Sequence, residues 1–287
     1  MTIRTTAAAL AIAVAALLWS AAAPEAQKRP AAPKTVRLYL FDNGDIAGLD
    51  PKLFGFTREQ LKEVDFVNQS YLVVHPRGTV MFDTGGIGDD KFPADGAPAT
   101  EGIMTAAKKL VPQMAAAGYA PSDVTYLVLS HYHSDHTGNA NLFGGATWIV
   151  QKAERDFMFS DAPQGIIQPA TYSALKNAKT KILDNEDFDI FGDGTAVIKT
   201  TPGHTPGHQV LFVKLAKTGP ILLAGDLYHY PEEITTGKTP SFEFDAATSA
   251  KSRAAMQAFV KQTGAKLWIE HDKLTHANLP KSPRYLD

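Results

Sequence analysis

Apolar and polar positions along the chain predict strands that alternate with helices. Alternating or continuous apolar runs, which are typical of strands, occupy residues 36–41, 66–74, 79–82, 125–130, 147–150, 196–200, 209–215, 221–224 and 266–270. Apolar residues at helical spacing predict helices over residues 103–117, 151–159 and 246–263, with a short helix near 138–143. Residues 161–185 fit neither pattern well, and we expect a helical excursion there. This order of elements is typical of the α/β class.

The first 27 residues have the pattern of a secretory signal peptide. Arg4 gives a positive start, residues 7–19 are an apolar run, and residues 20–23 supply the small side chains that a signal peptidase needs. The apolar run is too short to cross a bilayer core of roughly 30 Å. We therefore expect cleavage, no stable membrane anchor afterwards, and a periplasmic or secreted protein.

Composition indicates a globular protein and argues against a nucleic-acid partner. Apolar residues make up 44% of the 287 residues and charged residues 20%, which favours a packed core over disorder. Residues 28–34 resemble a flexible linker, so residues 35–287 are predicted to form the folded domain. The net charge of -2 argues against a nucleic-acid partner, which usually needs a concentrated basic face. The chain has no cysteine, so neither a disulfide nor a thiolate ligand can stabilise it.

Four potential metal ligands follow one predicted strand within six residues. His131, His133, Asp135 and His136 come directly after the apolar run 125–130. Imidazole nitrogens and carboxylate oxygens are ligands that zinc and similar divalent ions prefer. A loop that follows a strand lies at the carboxyl edge of the sheet, where α/β proteins build their sites.

The same arrangement recurs at three other strand ends. His204, Asp226 and His271 each follow an apolar run with little or no intervening sequence. Histidines scattered at random along the chain would not cluster at strand ends in this way. The alternative, that these are ordinary core or surface residues, is therefore disfavoured.

The seven strand-end residues divide into two sets by the direction in which they point. On an extended segment, residues two apart face the same side, whereas Asp135 begins the turn into the next helix. We expect one ion to be held by His131, His133 and His204, a second by Asp135, His136 and His271, and both to be bridged by Asp226. Such a set leaves room for a bridging hydroxide, which is typical of catalytic sites. Zinc suits these ligands best, although manganese, iron and cobalt also fit.

The pattern His-x-His-x-Asp-His at residues 131–136, with strand-end His204, Asp226 and His271, resembles the metallo-β-lactamase superfamily. The resemblance runs from about Val36 onward. It implies an α/β fold of the αββα type, in which two mixed β-sheets pack face to face between helices, so that residues 35–287 form a hydrolase domain. It also implies that Asp83 supports the metal ligands.

The ligand set narrows the expected activity. A complete set with Asp226 resembles lactonases, glyoxalase II and phosphoesterases, whereas true β-lactamases of this fold usually lack that aspartate. Residues 67–71 and 149–154 resemble N-acyl homoserine lactonases. We therefore expect a dinuclear metal-dependent hydrolase that opens a lactone or carboxylic ester, with quorum quenching as its role and a small molecule as its partner. An organophosphate or phosphodiester hydrolase, a β-lactamase-like hydrolase and a non-catalytic metal-binding protein stay open.

One position departs from the lactonase pattern. Those lactonases often carry a tyrosine three residues after the bridging aspartate, where it contacts the substrate carbonyl. Here that position is His229, which Tyr228 and Tyr230 flank. We expect Tyr228 or His229 to stabilise the oxyanion, with Asp226 between the ions. Asp135 is expected to handle the proton of the leaving alkoxide.

Other histidines and aromatic residues have less specific interpretations. His208 is expected outside the ligand set, and His75 and His276 on the surface. Phe54, Phe56 and Phe66 either line an acyl pocket or pack in the core.

Overall fold

Two β-sheets pack face to face, and helices cover their outer faces, in a computed structural model that describes residues 30–161 and 167–287. The predicted signal peptide lies outside the described residues. The strands are β1 (Arg37–Ile46), β2 (Phe66–His75), β3 (Gly78–Phe82), β4 (Ala99–Glu101), β5 (Met104–Ala106), β6 (Tyr126–Val128), β7 (Thr147–Gln151), β8 (Thr180–Leu183), β9 (Phe188–Asp189), β10 (Ala196–Thr200), β11 (Gln209–Leu215), β12 (Gly219–Leu223), β13 (Lys266–Trp268) and β14 (Tyr285–Leu286).

Both sheets mix parallel and antiparallel pairs. The first sheet has the order β4-β5-β1-β2-β3-β6-β7-β8, with β14 beside β1. It is antiparallel from β1 to β3 and parallel from β3 to β8. The second sheet has the order β13-β12-β11-β10-β9 and is parallel between β12 and β13.

Helices are short except for one. The α-helices are α1 (Leu110–Ala116), α2 (Ser134–Thr137), α3 (Lys152–Met158), α4 (Pro169–Tyr172), α5 (Pro231–Thr236), α6 (Ala246–Thr263) and α7 (Lys273–His276). Short 3-10 helices occupy Pro51–Phe54, Arg58–Gln60, Asp89–Lys91, Pro121–Asp123, Ala140–Phe143, Ser173–Asn177 and Gly225–Leu227. Among the described residues, no helix is both long and apolar enough to cross a membrane.

The main core lies between the two sheets. Leu38 and Leu40 of β1 belong to one buried cluster with Leu211 and Val213 of β11, and all four are fully buried. The alternation that predicted β1 therefore has a direct cause, because residues two apart share one face of a strand. Each such side chain stabilises the fold by about 1.5–3 kcal/mol through burial.

Helices complete the layers on both outer faces. On the second sheet, α6 packs Met256 against Phe212 of β11. The helix begins at Asp245, whose carboxylate accepts the amide hydrogens of Ala247 and Thr248, and it ends at Gly264 with φ of 68°. The first sheet carries α1 on its outer face. The predicted αββα arrangement of two mixed sheets flanked by helices is confirmed.

Two predicted helices differ from the structure. Residues 103–117 are not one helix, because β4 and β5 form a hairpin that turns at Gly102, with φ of 60°. The helix α1 begins only at Leu110, whose amide donates to Asp89 Oδ1 at 2.6 Å. That cap comes from a distant residue. In the second case, residues 161–185 include α4, but they end in β8 rather than in a helix.

The carboxyl ends of several strands meet at one edge. Phe82 of β3 is in register with Val128 of the parallel strand β6. In the second sheet, Leu223 of β12 is in register with Trp268 of the parallel strand β13. The loops that follow β3, β6, β12 and β13 therefore lie at corresponding ends of their sheets.

Candidate metal centre

One group of ligands collects around the loop after β6. His131, His133, His204 and Asp226 each offer one atom, and these atoms all lie within 4.8 Å of one another. His204 Nε2 is 3.1 Å from His133 Nδ1 and 3.4 Å from Asp226 Oδ2. His131 Nε2 is 3.6 Å from the same carboxylate oxygen. These distances suit ligands that converge on one ion.

A second group shares Asp226 with the first. Asp226 Oδ1 is 3.1 Å from Nε2 of both His136 and His271. Asp135 Oδ2 lies 3.6 Å from His136 Nε2 and 3.5 Å from His271 Nε2. The structure thus brings together all seven residues predicted as ligands, and Asp226 turns one oxygen toward each group.

The unpaired atoms of this cluster test whether ions fit. His131 Nε2, His136 Nε2 and Asp226 Oδ1 are buried and have no hydrogen-bond partner among the described residues. Buried polar atoms are costly unless something satisfies them. Two divalent ions would satisfy these atoms, and the nitrogen and oxygen donors match the preference of zinc. The residues therefore fit a dinuclear metal site.

The electrostatics also prepare three of these side chains, His133, His204 and Asp226, for metal binding. Burial lowers the pKa of His133 and of His204 to about 3, so both imidazoles are neutral near pH 7 and can donate a lone pair. Burial alone would raise the pKa of Asp226. The surrounding imidazoles, His136 first, lower it by more than burial raises it, so the pKa of Asp226 lies well below its ordinary value. Asp226 is therefore an anion between the two groups.

Residues behind the ligands orient them. Asp83 has a left-handed backbone with φ of 54°, and its Oδ1 accepts the Ser130 amide hydrogen at 2.6 Å. Its Oδ2 is 3.1 Å from His136 Nδ1, which places Asp83 in the predicted supporting position. His208 lies outside both ligand groups, and its Nε2 accepts the amide hydrogen of Asp226 at 3.1 Å.

Several buried carboxylates beside the site escaped the sequence analysis, and Glu270 and Glu154 are two of them. Glu270 Oε1 is 3.3 Å from His136 Nδ1, and its place directly before His271 was the signal that could have found it. Glu154, after β7, accepts hydrogen bonds from Tyr132 N, Thr205 Oγ1 and Gly207 N, each at 2.8 Å. Glu154 therefore joins the two loops that carry His133 and His204, and no local pattern indicated this role.

Glu154→Gln should destabilise the protein by about 1–3 kcal/mol at pH 5, because the amide nitrogen, unlike the carboxyl oxygen it replaces, cannot accept a hydrogen bond and leaves one of the three donors without an acceptor. The penalty should shrink at higher pH. Burial raises the pKa of Glu154 from 4.5 to about 7, so its wild-type contribution is present below pH 4.5 and is lost as pH rises to 7. Urea unfolding of both proteins at pH 5 and pH 8 measures this. A penalty that grows with pH would contradict the assignment.

The residues after Asp226 take different places. His229 lies at the centre, with Nε2 3.1 Å from Asp226 Oδ2. The structure does not bring Tyr228 to the site. Its hydroxyl accepts a hydrogen bond from Gln257 Nε2 at 3.0 Å. Its ring packs with α6 on the outer face of the second sheet. Of the two predicted oxyanion partners, only His229 is therefore in position.

Two histidines expected on the surface are buried instead. His75 stacks on the Phe191 ring at 3.9 Å between centroids, and its Nε2 lies 2.9 Å from Asp193 Oδ2. His276 is 1% exposed, and its Nε2 lies 3.0 Å from the carbonyl oxygen of Ile269. Both predictions were wrong because residues distant in sequence cover the rings: Phe191 covers His75, and the Tyr71 hydroxyl lies 3.4 Å from His276 Nε2.

An apolar groove of about 520 Å³ opens onto the ligands. Its walls are mainly apolar, and they are formed by Ile46, Leu49, Leu53, Phe54, Phe66, Ile103, Met104 and Phe242. His133, Asp135, Asp226, His229 and His271 line the same groove. Phe54 and Phe66 thus belong to both the groove and a buried cluster, whereas Phe56 packs only in that cluster.

Comparisons with known proteins agree with this geometry. Residues 64–271, which include all seven ligands, match the family model of the metallo-beta-lactamase superfamily. The N-acyl homoserine lactonase AttM of Azorhizobium caulinodans is 29% identical over 276 residues, covering 88% of this chain and 99% of AttM.

Solved structures share the fold. A quorum-quenching N-acyl homoserine lactone lactonase superposes with a TM-score of 0.72 at 23% identity, covering 87% of this chain and 98% of that protein. AidC, a dizinc quorum-quenching lactonase, gives 0.61 at 21% identity, covering 82% and 87%.

Proposed function

This chain belongs to the metallo-beta-lactamase superfamily, and from that premise we propose that it is a dinuclear zinc hydrolase that opens N-acyl homoserine lactones. The similarity to relatives named N-acyl homoserine lactonase covers nearly the whole length of those relatives. Zinc is the proposed ion because five of the seven ligands are imidazoles and AidC is described as a dizinc enzyme.

The observation that carries the proposal is the continuity of the apolar groove with the ligand cluster. An N-acyl homoserine lactone has a polar ring that carries the reactive ester and an apolar chain attached through an amide. Asp135, Asp226 and His229 line the same groove as Phe54 and Phe242. Such a groove accepts an apolar chain while the ester lies at the ligands.

The chemistry combines bound ions with fixed side chains. Two ions held by the seven ligands would supply Lewis-acid chemistry: they would lower the pKa of a water at the site and attract the negative charge that develops on the ester oxygen. His229 faces the groove from beside Asp226 and is placed to donate a hydrogen bond to that oxygen. Asp135 has the proposed role of passing a proton to the leaving alkoxide, and its side chain is 19% exposed at the groove.

A substrate panel tests the proposal. We expect the zinc-loaded protein to hydrolyse N-acyl homoserine lactones far faster than aryl phosphotriesters, phosphodiesters or β-lactams. Ring opening releases a proton, so a pH indicator follows each lactone directly. Faster turnover of a phosphotriester than of every lactone would contradict the proposal, and no turnover of any member would favour a non-catalytic metal protein.

Phe242→Ala should raise KM for a decanoyl homoserine lactone by about tenfold, because about 1.4 kcal/mol of apolar contact is lost. The Phe242 ring is 38% exposed and contacts Phe54 at 5.4 Å between centroids, so the change should not unfold the protein. The KM for a butanoyl lactone should change little. Leu142→Ala is the matched control, since Leu142 is 45% exposed and lies outside the groove. An equal change for both lactones would contradict an acyl-chain role.

Export is a separate part of the proposal. The pattern of residues 1–27 supports cleavage after the small residues 20–23 and release into the periplasm or beyond. Mass spectrometry of periplasmic material should find a mature chain that begins between residues 21 and 28. A full-length chain in the cytoplasm would contradict export.

A further inference from the structure

A buried arginine lies behind the metal site on α6. Arg253 is 5% exposed, and its guanidinium is 4.8 Å from the Tyr228 ring centroid. One terminal nitrogen donates to the carbonyl oxygen of Lys238 at 2.6 Å. The other, Nη2, faces two carboxylates, Glu233 and Glu243. A buried cation is costly unless it is paired, so this cluster needs an explanation.

The first carboxylate leads to His229. Arg253 Nη2 donates to Glu233 Oε2 at 2.9 Å, and the same oxygen accepts the amide hydrogen of His229 at 3.3 Å. The second oxygen, Glu233 Oε1, is 3.7 Å from His229 Nδ1. The opposite nitrogen of that ring faces Asp226. Glu233 therefore contacts the backbone of His229 and faces its ring.

The second carboxylate leads to His204. Glu243 Oε1 is 3.6 Å from Arg253 Nη2 and 3.5 Å from His204 Nδ1. The Glu243 side chain is 1% exposed, and neither of its oxygens has a hydrogen-bond partner among the described residues. The opposite nitrogen of His204 faces Asp226 at 3.4 Å.

We propose that Arg253 is a positioning residue that holds Glu233 and Glu243 behind His229 and His204, so that one buried cation orients two imidazoles toward Asp226. Carboxylates behind imidazoles select which ring nitrogen carries hydrogen and which faces the site. The two branches differ in what they orient. His204 belongs to a ligand group, whereas His229 lies outside both groups and faces the groove.

This difference predicts separable effects. Glu243→Gln should weaken binding of one of the two ions by about 10–100-fold, the range measured for partners behind metal ligands. Glu233→Gln should leave both ions bound and lower kcat by a similar factor, with KM nearly unchanged, because His229 is placed to act on the reacting ester. The second expectation rests on the proposed lactonase function.

The experiment loads each variant with Co²⁺ and measures affinity by competition with a chelator, while the visible absorption of Co²⁺ reports ligand geometry. Lactone turnover is measured on the same preparations. Arg253→Met should show both defects, a lower affinity for one Co²⁺ ion and a lower kcat. Lys251→Met is the matched control, since it removes a cation from an exposed position on the same helix, and it should match the wild type in both measurements.

Wild-type Co²⁺ affinity, spectrum and kcat in folded Arg253→Met would overturn the proposal. If Arg253→Met does not fold, the two glutamine variants decide, and identical behaviour of Glu233→Gln and Glu243→Gln would overturn it. If the wild type hydrolyses no lactone, the proposed function fails while the Co²⁺ measurements on Glu243→Gln still test the arginine. The two failures are therefore distinguishable.

Discussion

Asp226→Asn is expected to lower lactone turnover by more than about a hundredfold. Loss of a residue that only supports a metal ligand costs about a hundredfold at most, and Asp226 is itself a predicted ligand. Asp226 is the one residue common to both ligand groups. Its Oδ1 faces His136 and His271, and its Oδ2 faces His131 and His204. Asparagine keeps the size of the side chain but replaces an anionic oxygen with an amide nitrogen that cannot ligate, so two cations would lose their shared counter-charge.

Metal content should fall unevenly in this variant. The Asp135, His136 and His271 group retains two imidazoles without Asp226, whereas the other group retains three. We expect elemental analysis to fall toward one ion per chain, and the visible absorption of the Co²⁺-loaded variant to indicate that the remaining ion lies in the three-imidazole group. The fold should persist, since the core strands between the sheets are untouched, and circular dichroism checks this.

Two controls accompany Asp226→Asn. Asp95→Asn makes the same change at an exposed loop residue and should have no effect on rate or metal. His208→Ala removes a histidine that belongs to neither ligand group and whose ring nitrogens bond the Asp226 amide and Thr201, so the variant should keep nearly two ions. Near-normal rate and two ions in Asp226→Asn would show that Asp226 is merely a turn residue.

The ligands were predictable from sequence because their signals are local. His131, His133, Asp135 and His136 lie within six residues, and the remaining three follow strands whose apolar patterns are clear. Strand ends converge at one edge of an α/β fold, so sequence position alone indicates spatial proximity. The α/β class followed from the same patterns, whereas the two-sheet sandwich was implied by the family resemblance.

The supporting residues were not predictable because they act across long sequence separations. Glu154 contacts Thr205 and Gly207, about fifty positions away. Arg253 reaches Glu233 from another helix. A buried carboxylate or guanidinium has the same local sequence signal as a solvated one, and only tertiary packing distinguishes them.

Tertiary contacts also override the helical pattern of the sequence in the region after β3. Residues 103–117 have helical apolar spacing, but residues 104–106 pair with β1 and β4. Asp89, about twenty positions upstream, then caps the start of α1 with two hydrogen bonds. Sequence windows cannot detect such a cap, which explains why the start of this helix was misplaced.

Removing the ions should abolish turnover and lower the melting temperature by roughly 10 °C or more. An ion that binds only the folded state at a free concentration a thousandfold above its Kd stabilises by about 4 kcal/mol, and each kcal/mol shifts the melting temperature of a large domain by roughly 2 °C. Two such ions together therefore account for a shift of more than about 10 °C. Without ions, His131 Nε2, His136 Nε2 and Asp226 Oδ1 stay buried with no hydrogen-bond partner among the described residues. The expected loss is therefore larger than for any single variant above.

Stepwise refilling completes this test. Zinc added back should restore both the melting temperature and turnover only as the second equivalent binds, because Asp226 turns one oxygen toward each ligand group. Magnesium should restore neither, since it requires oxygen ligands and this site offers five imidazoles. Calorimetry measures the melting temperature and a lactone assay measures turnover, while elemental analysis counts the bound ions in the same samples. Full turnover at one stable equivalent would contradict the dinuclear mechanism, because hydrolysis would then need only one of the two ligand groups.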